Sequence, residues 1–198
     1  MNIENFYTFG STFSRQPVSI KNDKLNWDQY CELVIGDYSN IQFPLIFKQL
    51  SGRQWTDVLI PPSVSVCVFS IRFYEILKKN AVTGLQSYPV YIIDNKGKEI
   101  YDYVGVSIIG RCGPIDYSKC EIYEKSIVPN GPVNKYYKGL FIGLDKWDGS
   151  DFFLPEGTLS IIISERVKEL IQTHKVSNID LKKLSDIEKP EYALPKNR

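Results

Sequence analysis

The sequence predicts an α+β fold: a single domain over residues 1–198, in which a mixed, mainly antiparallel sheet carries two equivalent helices from an internal strand–helix–strand repeat. Two segments, residues 57–85 and 151–179, align without a gap, and six of their 29 paired residues are identical. In each segment a β-branched run leads into a serine and then into a helical apolar spacing. Between the segments, short alternating runs bounded by Gly and Pro indicate antiparallel strands.

Each segment of the repeat begins with one strand and one helix. The strands are predicted over Val64–Phe69 and Leu159–Ile163, where β-branched residues dominate. Ser70 and Ser164 follow, and their hydroxyls are expected to accept hydrogen bonds from free amides in the first helical turn. The identical pairs are Asp57/Asp151, Pro61/Pro155, Ser70/Ser164, Arg72/Arg166, Glu75/Glu169 and Val82/Val176.

Each predicted helix ends at a residue suited to a left-handed turn. Gly84 and Asn178 occupy equivalent positions, and these residue types adopt positive φ most easily. Second strands are then predicted over Leu85–Ile93 and Ile179–Leu184, which completes each unit. On both helices the identical Arg and Glu lie three residues apart on one face, so we expect an exposed ion pair between them.

The strands between the two segments are predicted from turn signals. The sequence DNKGK at 94–98 separates Val90–Ile93 from the alternating segment Ile100–Ile109, which indicates a hairpin. The glycines and the proline of residues 110–114 are expected to end that strand.

Further elements are predicted near the two ends of the chain and before the second segment. Strands are expected over Phe43–Phe47 and Tyr136–Leu144, whereas the rest of the first 50 residues favours no particular element. Residues 187–198 are polar and contain several prolines, which predicts a flexible tail.

Charge and hydropathy limit the classes of partner. The chain has 24 Lys and Arg against 23 Asp and Glu, a formal net charge of +1, so no overall field would attract nucleic acid or an anionic membrane. No apolar run approaches the ~20 residues of a membrane helix, and the N-terminal stretch lacks the basic residues of a secretory signal. We therefore expect a cytoplasmic protein without a nucleic-acid or membrane partner.

Residue types that often carry chemistry are few. The four cysteines contain no CxxC pair, and buried packing fits their spacing better than two disulfides or a metal site. They are Cys31, Cys67, Cys112 and Cys120. The single histidine, His174, falls near the end of the second predicted helix, where a solvated surface position is expected. The sequence therefore predicts no catalytic residue, no cofactor and no metal ion.

The densest acidic cluster lies in LDKWDGSDFFLPEG, residues 144–157. Aligning Gly149 with the glycine of a calcium loop places Leu144 and Lys146 at ligand positions, so the calcium pattern fails. A solvated turn carrying an exposed tryptophan is one interpretation, and an acidic, aromatic contact patch is the other. The residues predicted to contact a partner are Asp145, Trp147, Asp148 and Asp151.

Three sequence blocks resemble a family of bacterial immunity proteins from polymorphic toxin systems. The first block contains FSIRFYEILKKNAVTGL, a Ser-x-Arg helix followed by a Thr-Gly turn. The second, YDYVGVSIIGRCGPIDYSKC, and the third, SDFFLPEGTLSIIISERVKEL, follow in the family's order. The resemblance covers about Asp57 to Leu184. It departs from the family's pattern at residues 176–178, where the second segment has Ser-Asn in place of Thr-Gly.

The resemblance implies a cytoplasmic antidote that binds the C-terminal domain of a cognate toxin and has no catalytic activity. If that toxin is a nuclease, a local patch such as residues 145–151 must supply charge complementary to a basic cleft, or inhibition occurs away from the cleft. Two alternatives stay open from the residues alone. One is a non-catalytic adaptor or structural binding module, and the other is a small hydrolase that uses carboxylates or a Cys/His pair.

Overall fold

The computed structural model of the chain describes residues 3–12, 16–61, 65–126, 128–129 and 131–193, which contain three α-helices and 17 β-strands. The helices are α1 (Trp27–Ile35), α2 (Ile71–Lys79) and α3 (Glu165–Thr173). The strands are β1 (Phe6–Gly10), β2 (Ser19–Lys21), β3 (Leu45–Ser51), β4 (Val58–Leu59), β5 (Cys67–Ser70), β6 (Leu85–Tyr88), β7 (Val90–Ile93), β8 (Glu99–Ile100), β9 (Tyr103–Ile108), β10 (Gly110–Ile115), β11 (Glu121–Ser126), β12 (Val133–Lys138), β13 (Ile142–Gly143), β14 (Phe152–Pro155), β15 (Ile162–Ser164), β16 (Asp180–Lys183) and β17 (Glu188–Pro190).

The described strands form four sheets, where the sequence predicted one. Their orders are β13-β10-β14-β15-β1-β16, β11-β12-β17, β2-β3-β7-β8 and β4-β5-β9-β6. Two pairings, β3 with β7 and β10 with β14, are parallel, and the other pairings between named strands are antiparallel. The predicted class, α+β with mixed, mainly antiparallel sheets, is therefore confirmed.

The six-stranded sheet has apolar side chains buried on both faces. In β14, Phe152 packs into the larger core with α2 and α3, whereas Phe153 packs into a smaller core on the opposite face. Ile163 and Ile162 of β15 divide between the two cores in the same way. Because successive side chains of a strand point to opposite faces, a strand buried on both sides reads as an uninterrupted apolar run.

The strand before residues 110–114 ends at Ile108, close to the predicted end, but residues 110–114 are not a break, because they belong to a further strand, β10. The glycines permit close approach between backbones: a Cβ on Gly110 would lie 2.2 Å from the Phe152 carbonyl oxygen, and one on Gly113 would lie 3.0 Å from the Gly143 Cα. Pro114 sits where the pairing of β10 with β13 changes register. A proline is tolerated at such an irregularity because it removes no regular ladder hydrogen bond.

Other predicted strands are present with changed bounds. The strand predicted over Leu85–Ile93 is divided at Pro89 into β6 and β7, which belong to different sheets. The hairpin around residues 94–98 is confirmed, since β7 pairs with β8. The segment Ile100–Ile109 supplies β8 and then β9, which pairs elsewhere.

The two ends of the chain are more ordered than the sequence predicted. The first 50 residues supply β1, β2 and α1, and β3 begins within the predicted segment Phe43–Phe47. Residues 188–190 of the predicted flexible tail form β17 on β12. Residues 194–198 of that tail, and Val64 of the first predicted strand, lie outside the described residues.

Candidate functional site

Asp57, just before β4, joins the start of α2 to the turn that follows α3. Its Oδ1 accepts hydrogen bonds from Ser70 Oγ at 2.8 Å and Arg72 Nε at 3.0 Å, and its Oδ2 accepts from Arg72 Nη2 at 2.7 Å. Oδ2 also accepts from the backbone N–H and the hydroxyl of Ser177, at 2.9 and 2.8 Å. Ser70 in turn accepts from the Phe73 amide at 3.1 Å, so its predicted capping role is confirmed.

Asp151, just before β14, makes the equivalent contacts at α3. Its Oδ1 accepts from Ser164 Oγ at 2.8 Å, and its Oδ2 accepts from Arg166 Nη1 at 2.9 Å. Oδ2 also accepts from the N–H and the hydroxyl of Thr83, in the turn after α2, at 3.1 and 3.3 Å. Ser164 makes no side-chain cap hydrogen bond, so the capping role predicted for this hydroxyl is wrong.

The two arginines also connect α2 with α3. Arg72 Nη1 donates to the carbonyl oxygen of His174 at 3.4 Å, and Arg166 donates to that of Asn80, so each arginine reaches the end of the other helix. The Arg–Glu ion pairs expected on each helix are wrong, because both arginines turn toward the aspartates. The internal repeat stays a prediction, and these matched contacts support it.

The hydrogen bonds around Asp57 keep its carboxylate charged. Burial raises the pKa of Asp57, but hydrogen bonds from Arg72, Ser177 and Ser70 outweigh burial and lower the pKa to about 2. The side chain is only 10% exposed. Since the carboxylate oxygens are occupied by neighbours within the chain, Asp57 holds the fold and offers little to a partner.

The four predicted contact residues have different environments. Asp145 is exposed and lines an open surface cavity of about 660 Å³. Trp147 is half-buried: its ring centroid lies 5.2 Å from that of Phe6 and 5.6 Å from that of Phe153. Asp151 is buried and committed to the contacts at α3. The turn therefore presents Asp145, part of Trp147 and Asp148.

Asp148 connects this turn to β10. Its Oδ2 accepts from the Arg111 amide at 2.8 Å, its Oδ1 accepts from the Ser150 amide at 2.9 Å, and its own amide donates to the Arg111 carbonyl oxygen at 3.1 Å. Partial burial raises the pKa of Asp148, but the hydrogen bonds from Ser150 and Arg111 outweigh it and lower the pKa. The carboxylate is thus a fixed negative charge beside Arg111.

A groove of about 580 Å³ opens beside Arg111. One wall is α1, which contributes Cys31 and Ile35, and the other is the segment 154–159 at the end of β14 and beyond. Arg111 and Cys112 of β10 lie between the two walls. We call this the α1 groove.

The thiols are poor nucleophiles. Burial raises the pKa of Cys67 and of Cys112 to about 12, and it also raises the pKa of Cys31 and of Cys120. All four are free cysteines, and a thiol with a raised pKa carries little thiolate at neutral pH. His174 is exposed at the C-terminal end of α3, as predicted.

The described residues contain neither a metal-binding cluster nor a membrane-spanning helix. No group of three or more His, Cys, Asp or Glu side chains there is placed to hold a metal ion. No helix in that part of the chain is both long enough and apolar enough to cross a membrane.

Comparison with protein families gives a match that spans most of the chain. The model of the immunity protein family Imm11 matches residues 7–186. The chain belongs to the Imm11 immunity protein family. A search of curated proteins gave no significant match. The resemblance predicted from the three sequence blocks is therefore confirmed, and the Imm11 match also includes α1, β2, β3, most of β1 and the residues that line the α1 groove.

Sequence reasoning predicted the acidic turn of this Imm11 protein as a contact surface, which stays a prediction, and it did not point to the α1 groove. The groove combines residues from α1, β10 and the segment 154–159, which are far apart in the sequence. One signal was available: residues 27–47 and 147–165 contain no Lys or Arg, although the whole chain is nearly neutral. Both basic-free runs supply a wall of the groove.

Proposed function

We propose that this Imm11 protein is a non-catalytic antidote that binds the C-terminal domain of a cognate toxin in the cytoplasm and blocks the toxin's activity. The observation that carries the proposal is the family match over residues 7–186. The raised pKa of Cys67 and of Cys112 agrees with a protein that works by binding, because neither thiol is activated for attack.

We propose the turn around residues 145–148 as part of the contact surface. Asp145 is exposed, and Asp148 is held in one orientation by hydrogen bonds from Arg111 and Ser150. A carboxylate that is already ordered loses little conformational entropy on binding. Trp147 is half-buried in this turn, and the buried Asp151 accepts a hydrogen bond from Ser164 Oγ behind it.

Co-expression tests the proposed function. The C-terminal domain of the protein encoded by the adjacent gene, tested as the cognate toxin, would be produced in a bacterial host with and without this chain. Growth should be restored when both are present, and the two purified proteins should form a stable complex. Equal growth arrest with and without the chain would contradict the proposal.

A second measurement distinguishes binding from chemical modification of the toxin. The toxin domain released from the complex by denaturation should have unchanged mass and should regain activity after refolding alone. A covalent change in the released domain would indicate an enzyme.

A further inference from the structure

The α1 groove combines an apolar floor with exposed apolar residues at its edge. Ile35 is 39% exposed and Ile109 is 45% exposed. Ile109 lies beside the end of α1, because a Cβ placed on Gly36, the residue after Ile35, would meet Ile109 Cγ2 at 2.8 Å. Exposed apolar side chains beside a cavity are typical of a surface that a partner covers.

Carboxylates surround this apolar surface. On α1, Asp28 and Glu32 lie on the same helix face as the lining residues Cys31 and Ile35, since the four positions follow a helical spacing. The charges of Asp28 and Glu32 both act on the Cys31 thiol and add to the effect of burial in raising its pKa. One wall of the groove is thus apolar and negative.

The opposite wall is also negative. Glu156 lines the groove and is exposed, and Asp148 is joined by hydrogen bonds to the backbone of Arg111, another lining residue. Glu156 is held in place by its amide, which donates to the Cys112 carbonyl oxygen at 3.2 Å. The groove therefore has acidic residues on both sides.

Arg111 is the single basic residue among those that line the groove, and its guanidinium is occupied. Nη1 donates to the carbonyl oxygens of Ile108 and Gly110 at 2.6 and 2.8 Å, and Nη2 donates to that of Ile35 at 2.8 Å. These bonds fasten the end of α1 to β10. Asp28, Asp148 and Glu156, together with Glu32, whose Oε1 accepts a hydrogen bond from Asn40 Nδ2 at 3.3 Å, outnumber the one arginine and leave an excess of negative charge around the groove.

We propose that the α1 groove is the docking site for the toxin domain, and that the toxin inserts an apolar side chain that is flanked by basic residues. This inference rests on the proposed function and names the surface that performs it. A cavity of about 580 Å³ is large enough for one or two side chains. An apolar anchor in such a pocket, with charged contacts around it, is the common arrangement of a binding hot spot.

The test measures binding of the adjacent gene's toxin domain to four variants. Ile109→Arg places a bulky cation at the groove edge, and Glu156→Lys reverses a charge on its wall. Ile71→Arg and Asp102→Lys are the matched controls: neither residue lines the groove, Ile71 is 46% exposed and Asp102 is an exposed acid. The groove variants should bind at least about tenfold more weakly, whereas the control variants should bind like the wild type.

The binding results distinguish a wrong docking site from a wrong proposed function. Wild-type-like affinity of both groove variants, within about twofold, would overturn the docking site and leave the proposed function intact. A wild-type chain that does not bind the toxin domain would overturn the proposed function and the docking site with it. Thermal unfolding of each variant checks that a lost affinity does not come from a lost fold.

Hydrogen exchange of the wild-type complex gives an independent readout that requires no variant. Amides of α1 and of residues 154–159 should exchange more slowly in the complex than in the free chain. Protection confined to the surface around Ile71 and Asp102 would contradict the docking site.

Discussion

At the scale of single residues, the Asp57 carboxylate connects several parts of the fold through its hydrogen bonds. One side chain accepts from a helix cap, an arginine and the turn after another helix. Residues 57 and 177 are remote in sequence, so this carboxylate links distant parts of the chain. Removing such a group leaves its buried donors without partners, which costs more than the bonds contribute.

Replacing Asp57 with Asn should lower the free energy of unfolding by about 1–2 kcal/mol at pH 7. The loss is expected to stay in this low range because Arg72 is half exposed, so solvent screens its attraction to Asp57. The folded-state pKa of Asp57, about 2, lies below the ordinary 3.8, so protons bind the unfolded chain more readily. The stabilising contribution is therefore complete above pH 3.8 and is lost as the pH falls toward 2.

Urea unfolding of the wild type and of Asp57→Asn across this range measures the effect. The difference in free energy between the two should shrink as the pH falls from neutrality toward 2. Asp102→Asn, at an exposed position, serves as the control and should leave the curve unchanged. A wild-type-to-Asp57→Asn difference that is independent of pH would contradict this account.

At the scale of elements, α2 and α3 are each preceded by a serine, but the two serines make different hydrogen bonds. Ser70 donates to Asp57 and also accepts from the Phe73 amide, whereas Ser164 donates to Asp151 without a cap hydrogen bond. Ser70→Ala should therefore destabilise the protein by about 1 kcal/mol more than Ser164→Ala does. Chemical denaturation of the two variants checks this, and equal losses would show that the cap bond contributes nothing.

Gly84, in the turn after α2, is required both by its positive φ and by the close approach of another backbone segment. Alanine variants at Gly84 and Gly97 separate these two effects. Gly84 has φ +84° and a Cβ there would lie 1.9 Å from the Phe152 carbonyl oxygen, whereas Gly97 has φ +81° with no atom within 4 Å of a Cβ. Gly97→Ala should cost about 1 kcal/mol from backbone strain alone. Gly84→Ala should cost about 2 kcal/mol or more beyond that, since backbone must move. Similar melting temperatures for the two variants would contradict the steric argument.

These elements also show what the sequence could reveal. The cap at Ser70 and the positive φ of Gly84 and Asn178 are local, so residue type predicts them. Judged by residue type alone, the glycines of β10 predict the end of a strand. In the structure they instead allow close contact with other strands, which only the tertiary structure identifies. Local reasoning fails where a distant backbone decides the role of a residue.

The helix α1 was missed although its sequence carries a readable signal. Asn26 and Gln29 form a capping box, with Gln29 N donating to Asn26 Oδ1 at 2.9 Å and Asn26 N donating to Gln29 Oε1 at 3.1 Å. Gly36 then ends the helix at φ 83°. The acidic turn of the candidate site was predictable for the same local reason, whereas the groove beside it required knowing that α1 packs next to β10.

At the scale of the whole molecule, a net charge of +1 conceals an uneven distribution. The two runs without Lys or Arg meet at the α1 groove, while basic residues such as Lys135 and Lys138 lie on β12 in another sheet. A partner therefore meets a local field that the overall charge does not reveal. With the α1 groove as the docking site, this separation of charge should affect the rate at which the toxin domain associates.

Association with the toxin domain should slow as salt increases, because a basic segment approaching an acidic groove is accelerated by long-range attraction. The association rate of the wild type should fall by about tenfold between roughly 0.05 and 0.5 M salt, as the screening length shrinks below the size of the site. Glu156→Lys should flatten this dependence and Asp102→Lys should preserve it, as measured by stopped-flow or surface-based kinetics. If Glu156→Lys and Asp102→Lys had the same salt dependence, the steering charge would lie outside the α1 groove, and the toxin would approach another face of the molecule.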